Sequence, residues 1–140
     1  MLPQPRVTPD VMERAVRVLQ AGLPGLLAVY GFGSRVQGTA GPESDLDMAV
    51  LVAGYADVTQ LWQLSGALAD IAGCAVDLLD LRAASTVMQY QIVTHGERWW
   101  AQDAQAALFE SAILSEKTAL DAARAGLLAD IRERGTVYGG

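Results

Sequence analysis

Short apolar runs alternate with amphipathic segments along this chain, and the pattern predicts a small α/β (α+β) protein. The continuous apolar run over 26–30 has the length of a buried central strand. Further strands are predicted over 45–52 and 75–81, and the segment 97–101 is a short strand or an extended piece. Because helical segments separate these strands, we predict a small mixed β-sheet with helices packed on it.

Capping residues and apolar spacing predict the helices between the strands. The first begins at Thr8, followed by Pro9 at the first helical position, and ends at Gly22. A second helix, over 57–72, places Trp62 beside its apolar stripe, so we interpret Trp62 as a packing residue. Shorter helices are predicted over 34–37 and 84–94.

The last predicted helix covers 103–134 and is followed by a tail over 135–140. Together with a catalytic core over 9–101, these segments form one predicted domain spanning all 140 residues. The apolar residues of the last helix recur at three, four or seven positions, as in an amphipathic helix. These residues are Ala106, Phe109, Ile113, Leu120, Ala123, Leu127 and Ile131.

Two adjacent tryptophans, Trp99 and Trp100, lie in the short segment 97–101. Neighbouring side chains of an extended segment point to opposite faces. We therefore predict that one tryptophan packs in the core, while the other is a candidate for stacking on adenine or for contacting a partner. The only histidine, His95, lies near a predicted helix end, and we interpret it as a polar residue that caps backbone carbonyls there.

Composition narrows the class of protein. Hydrophobic residues make up 51% of the chain and charged residues 19%, which indicates a surface patch reserved for a partner. The net charge of −6 and the lack of a basic stripe argue against direct nucleic-acid binding. No apolar run reaches the roughly 20 residues of a membrane helix, and the first residues lack the apolar core of a signal peptide. We expect a cytoplasmic protein without a membrane association.

Candidate chemistry is concentrated in residues 31–50, which read GFGSRVQGTAGPESDLDMAV. Gly33 and Ser34 lie where a strand turns into a helix, a place where backbone amides approach and bind phosphate closely. Asp45 and Asp47 are two positions apart on a strand, so their side chains share one face. Carboxylate oxygens are the ligands that Mg²⁺ prefers, and two such ions stand about 3.5–4 Å apart in nucleotidyl-transfer sites. The segment predicts a site for ATP and two Mg²⁺ ions.

A third carboxylate is expected from the neighbouring strand, where Asp77 and Asp80 are the candidates. They are three positions apart and therefore face opposite sides of one strand. We prefer Asp77 as the metal ligand and as the base for the attacking hydroxyl, because Val76 and Leu78 then face the core. Asp80 is interpreted as a cap of the following helix. Arg35 or Arg82 is either a phosphate contact or an exposed arginine without such a role.

The pattern Gly33-Ser34, ten residues, then Asp45-x-Asp47 resembles the signature of the DNA polymerase beta-like nucleotidyltransferase superfamily. Its spacing is similar to the minimal nucleotidyltransferases, the MNT group, and within them to the MntA-type antitoxins of HEPN/MNT toxin–antitoxin systems. The resemblance covers most of the chain, including the strand with Asp77 and the long last helix. It implies that Asp45, Asp47 and Asp77 bind Mg²⁺ and that Gly33 and Ser34 contact ATP.

The resemblance also implies a function: transfer of AMP from ATP to a tyrosine of a partner HEPN ribonuclease toxin, which silences the toxin. Because about 40 residues follow Gly96, we expect a helix there and not a second domain that grips an acceptor. A partner that docks itself fits this size. Two alternatives remain: an antitoxin that acts by binding alone through its last helix, and a transferase with a small-molecule acceptor such as an aminoglycoside.

Overall fold

The computed structural model describes residues 7–41 and 44–139 of the chain, with the backbone alone over 133–139. The predicted elements are confirmed there, with bounds that differ by one or two residues except at the end of the last helix. In chain order they are α1 (Pro9–Gly22), β1 (Leu26–Phe32), α2 (Ser34–Gln37), β2 (Leu46–Val52), α3 (Val58–Ala72), β3 (Val76–Asp80), α4 (Thr86–His95), β4 (Glu97–Ala101) and α5 (Gln105–Gly139).

The four strands form one mixed sheet in the order β3-β2-β1-β4. β1 is antiparallel to both β2 and β4, whereas β2 and β3 run parallel. β1 is the buried strand that its apolar run predicts, since all its residues except Phe32 are buried. The carboxyl end of β1 therefore lies beside the amino ends of β2 and β3.

Helices cover both faces of the sheet, and each face has its own core. On one face α1 and α3 pack through residues such as Leu19 and Leu68 against Met48 and Val50 of β2. On the other face Ile92 of α4 and Ala106 of α5 pack on the alternate residues of the strands, which include Tyr30, Ala49 and Leu51. Thr8 caps α1 as predicted, because its hydroxyl accepts a hydrogen bond from the Val11 amide at 3.2 Å.

A β-bulge in β4 changes the predicted arrangement of the two tryptophans. Val29 pairs with Trp100 and Tyr30 pairs with Arg98, so Trp99 is the extra residue between the two pairs. A bulge breaks the strict alternation of side chains. Both tryptophans are consequently half-buried against the α1–α3 core, and the prediction that one faces outward is wrong.

Trp62 also differs from its interpretation as a packing residue, since it is 78% exposed. Leu61 and Leu68 carry the buried face of α3. Trp62 follows Leu61 by one position, about 100° around the helix, and this rotation is enough to turn the ring into solvent.

The last helix is longer than predicted. Residues 135–139, which were predicted to form a tail, continue α5 as far as Gly139. One glycine inside a helix, here Gly135, costs only about 1 kcal/mol relative to alanine, which is too little to end it. Within the described residues, no helix is long and apolar enough to cross a membrane.

Candidate active site

The sheet topology brings together the predicted site residues. Gly33 follows the end of β1, whose last residue, Phe32, pairs with Asp47 at the start of β2. On the other side of β2, Asp47 is in register with Asp77 of the parallel strand β3. Asp45 lies just before β2 and is exposed. The turn and the three carboxylates thus meet at one end of the sheet, where β1 ends and β2 and β3 begin.

Gly33 has a backbone conformation that only glycine adopts without strain. Its φ is +81° and its ψ is −168°, a region that is essentially restricted to glycine. A Cβ atom at this position would overlap Oδ2 of Asp47. Glycine is therefore required both by the sharp turn and by the close approach of the turn to the Asp47 carboxylate.

Ser34 is the first residue of α2, a helix of one turn. The Gln37 amide donates to the Gly33 carbonyl at 3.0 Å, and the Thr39 amide donates to the Ser34 carbonyl at 2.9 Å. The amides before Gln37 belong to the first turn, whose N–H groups have no intrahelical acceptor. Because one turn of helix has only a small dipole, a phosphate placed here would be bound by these amides and by the Ser34 hydroxyl.

The loop before Asp45 is held by hydrogen bonds to its own residues and to α2. Arg35 Nε donates to the Ser44 carbonyl at 2.6 Å, and the Gly41 amide donates to the Ser44 hydroxyl at 3.0 Å. The first bond joins the Gly33-Ser34 turn to the segment that carries Asp45. Sequence reasoning missed this contact of Arg35, because it depends on how the loop folds back and leaves no signal in residue spacing.

Asp47 is the carboxylate with the strongest electrostatic perturbation in the site. Its pKa is raised above the usual range by burial first, and then by the negative charges of Asp77 and Asp45. Three acidic groups therefore repel one another at this end of the sheet. A bound cation would relieve this repulsion, and a hard divalent ion is the type that carboxylate oxygens favour.

The donor set therefore fits Mg²⁺, although the protein alone does not enclose an ion. Among residues 7–41 and 44–139, no group of three or more Asp, Glu, His or Cys side chains is arranged to hold a metal. Mg²⁺ is usually bound by one or two carboxylates together with waters and substrate phosphates. Asp45 and Asp47, with Asp77 alongside, would supply the protein's share of such a site, and phosphate oxygens would supply much of the rest.

Asp80 stabilises the fold by accepting backbone hydrogen bonds, and its interpretation as a helix cap is wrong. Its buried side chain accepts hydrogen bonds from the Ala56 amide at 2.9 Å and from the Arg82 amide at 3.0 Å. It thereby fastens the segment before α3 to the end of β3. The cap of α4 is Ser85, whose hydroxyl accepts a bond from the Met88 amide.

Arg82 lies too far from the turn to contact phosphate there. Its Nη2 donates to the carbonyl of Val52 at 3.2 Å, and its guanidinium lies over the Phe109 ring. Val52 is five residues from Asp47 along β2, a distance of about 17 Å in an extended strand. The role of Arg82 is to join the far end of the sheet to α5.

Separate substitutions of Asp77 and Asp80 are expected to give opposite phenotypes. Asp77→Asn removes an exposed charge beside Asp47, and we expect nucleotidyl transfer to fall roughly 10²-fold or more while the fold is kept. Asp80→Asn weakens the acceptor of two backbone amides, and we expect it to cost about 1–2 kcal/mol of unfolding free energy. Transfer rates and urea unfolding of both variants test this; similar activity losses at equal stability would contradict it.

Comparison with known families agrees with this geometry. A model described as "Polymerase beta, Nucleotidyltransferase" matches residues 16–105, the part of the chain from α1 to the start of α5. The matched span includes the turn and all three carboxylates of the site. This chain belongs to the polymerase beta nucleotidyltransferase family. The resemblance inferred from Gly33-Ser34 and Asp45-x-Asp47 is confirmed.

The nucleotidyltransferase is also similar to a curated relative and to solved structures. Protein adenylyltransferase MntA of Shewanella oneidensis is 37% identical over 119 residues, which cover 85% of this chain and 86% of the relative. A crystal structure of a toxin–antitoxin with AMP-PNP matches with a TM-score of 0.74 at 36% identity, covering 86% of this chain and 98% of the other.

A second similar structure contains a tri-AMPylated Shewanella oneidensis HEPN toxin in complex with an MNT antitoxin. The match has a TM-score of 0.69 at 32% identity and covers 88% of this chain and 97% of the other. The mixed sheet with its packed helices is thus the nucleotidyltransferase fold that the sequence predicts.

Proposed function

We propose that this nucleotidyltransferase is an antitoxin that transfers AMP from ATP to a tyrosine hydroxyl of a partner HEPN toxin. The observation that carries the proposal is the alignment of Asp47 with Asp77 in register, against the Gly33 turn. Relatives that share the fold over most of their length include a protein adenylyltransferase and an antitoxin bound to an AMPylated HEPN toxin.

Each site residue has a distinct role in this reaction. Backbone amides of the Gly33-Ser34 turn and the Ser34 hydroxyl bind phosphate oxygens and orient the triphosphate. Asp45 and Asp47, with Asp77, would hold Mg²⁺, two ions in the full site, which neutralises phosphate charge when bound. Arg35 positions the Asp45 segment through the Ser44 carbonyl.

The chemistry requires one proton acceptor besides these binding groups. The tyrosine oxygen attacks the α-phosphorus, a new P–O bond forms, and the bond to the β-phosphate oxygen breaks to release pyrophosphate. The phenolic proton passes to the carboxylate of Asp77, which is exposed and therefore accessible to an acceptor from outside. Docking of a folded partner would orient the attacking hydroxyl towards the α-phosphorus.

A second candidate function is neutralisation by binding alone. Several large apolar side chains on α5 are exposed, including Leu120 at 47% and Leu127 at 59%. Such a surface fits a protein partner whether or not AMP is transferred.

The compartment we propose is the cytoplasm, where ATP and the toxin's RNA substrates occur together.

Intact mass spectrometry of the toxin after incubation with this protein, ATP and Mg²⁺ tests the proposal. We expect a gain in multiples of one AMP, which is absent with the Asp45→Asn, Asp47→Asn double variant. A toxin that is silenced without any gain in mass would favour binding alone. A toxin that neither gains mass nor binds would overturn both readings and favour a small-molecule acceptor.

A further inference from the structure

The distal part of α5 carries an apolar stripe that no described part of the chain covers. Ala106 and Ile113 are buried against the sheet face, so the first two turns or so are packed. Beyond them the stripe continues as Leu120, Ala123, Leu127 and Ile131, which we call the distal stripe. Leu120, Leu127 and Ile131 are 47%, 59% and 53% exposed. Soluble proteins expose such a continuous apolar surface mainly where a partner binds.

The distal stripe lies outside the catalytic module. The family model ends at residue 105, and α5 begins at Gln105. The carboxylates and the Gly33 turn all lie before that boundary, so the chemistry of the site does not require residues beyond it. The outer part of this 35-residue helix contributes little to the core, so we infer that it serves a purpose other than folding or catalysis.

The base of α5 is fixed to the strand that ends at the active site. The Tyr30 hydroxyl donates to Glu110 Oε2 at 2.7 Å, and Arg98 Nη1 pairs with the same oxygen at 3.0 Å. Burial and Glu110 raise the pKa of Tyr30, which keeps the hydroxyl protonated as the donor. Tyr30 is three residues before Gly33 in β1. These contacts connect the base of α5 to β1 close to the Gly33 turn.

A second contact extends this rigid connection further along the helix. Lys117 Nζ lies 5.6 Å from the centre of the Tyr90 ring of α4, and it pairs with Asp121 at 3.0 Å. The distal stripe begins one turn beyond Lys117. The outer helix thus starts from a fixed point on the domain and has no described packing partner of its own.

We propose that the distal stripe is the docking surface for the acceptor protein, and that it binds a helical face of that protein. This inference rests on the proposed function, because the acceptor is the partner toxin. The spacing of three and four residues in the stripe is the spacing by which one helix packs on another. Over 114–132 the chain has three acidic and three basic residues, so the local net charge is zero in a chain of −6. Apolar contact, with little charge repulsion, therefore drives docking there.

Two matched pairs of leucine substitutions on α5 test the proposal. The test variant is Leu120→Glu, Leu127→Glu, on the distal stripe. The control variant is Leu114→Glu, Leu128→Glu, which replaces two exposed leucines of the same helix on a face roughly 100° away. Both variants change the net charge equally and leave the catalytic module untouched.

We expect the test variant to bind the toxin ~100-fold more weakly and to lose AMP transfer in the same proportion at low toxin concentration. Binding of Mg-ATP stays unchanged, and the control variant stays within about 3-fold of the wild type. Equal losses in the two variants, or no loss in either, would overturn the proposal. So would a toxin-free dimer that the test variant dissociates, because the stripe would then bind a second copy of this chain.

The outcome is separable from that of the proposed function. If the wild type binds the toxin through the distal stripe but no AMP appears on it, docking stands and adenylylation fails. If AMP appears at the same rate with both leucine variants, adenylylation stands and the docking surface is elsewhere.

Discussion

Asp47→Asn is expected to abolish AMP transfer and, at the same time, to stabilise the fold at neutral pH. In the proposed reaction Asp47 binds Mg²⁺, and loss of such a ligand would remove several kcal/mol of transition-state stabilisation, which corresponds to a rate decrease of roughly 10³-fold. The variant also removes a charge that is disfavoured by burial and by the nearby Asp77 and Asp45. We therefore expect the Tm in the absence of metal to rise by about 1–3 °C.

The pH dependence of this difference follows from the raised pKa of Asp47. The folded protein holds the proton more tightly than the unfolded chain, so stability is lost as pH rises from the ordinary aspartate pKa through the raised one. The asparagine side chain of the variant is uncharged at every pH, so the variant does not lose this stability as pH rises. The Tm difference is expected at pH 7 and shrinks towards about pH 4, near the ordinary pKa.

Thermal unfolding from pH 4 to 8, with and without Mg²⁺ and a non-hydrolysable ATP analogue, checks this expectation. The ligands are expected to raise the Tm of the wild type more than that of Asp47→Asn, because the variant lacks a metal ligand. Asp70→Asn is the control, since Asp70 is an exposed carboxylate outside the cluster. A variant that is less stable than the wild type at pH 7 would refute the repulsion between the three carboxylates.

Gly33→Ala is expected to damage both the fold and the activity. The backbone conformation at φ +81° and ψ −168° costs about 1–3 kcal/mol for a residue with a side chain. The added Cβ would also push against Asp47 Oδ2 and displace either the turn or the carboxylate. A displacement of about 1 Å at a reacting centre can lower the rate roughly 10²-fold.

Gly54→Ala separates these two effects. Gly54 has the same φ of +81°, but nothing lies within 4 Å of the position that a Cβ would take. We expect Gly54→Ala to cost about 1–2 kcal/mol of stability and to leave AMP transfer unchanged. If the two alanine variants lose activity equally, strain in the backbone alone explains the loss, and the contact between the turn and Asp47 is not important.

Local signals predicted most of the fold. Thr8 and Pro9 marked the start of α1, and the apolar run of β1 identified the central strand, because capping and burial leave direct traces in residue type. The spacing of Asp45 and Asp47, together with Asp77, predicted the carboxylates that the parallel register of β2 and β3 places side by side. Their roles as metal ligands and base stay predictions until the variants are measured.

Features that depend on tertiary contacts were not predictable. The bulge at Trp99 arises from the pairing of β4 with β1, and no residue in 97–101 signals it. Asp80 resembled a helix cap because it lies near a strand end, yet its partner amides belong to Ala56, 24 positions away, and to Arg82. The continuation of α5 over 135–139 was likewise not predicted from the sequence.

The start of α5 at the boundary of the shared domain has an evolutionary consequence. Mutations in the outer helix change which surface is presented without touching the turn or the carboxylates. If the outer helix docks the toxin, as we propose, a lineage can exchange or redesign this segment and acquire a new cognate toxin while the inherited chemistry stays intact. Recognition and catalysis would then diverge at different rates along one chain of 140 residues.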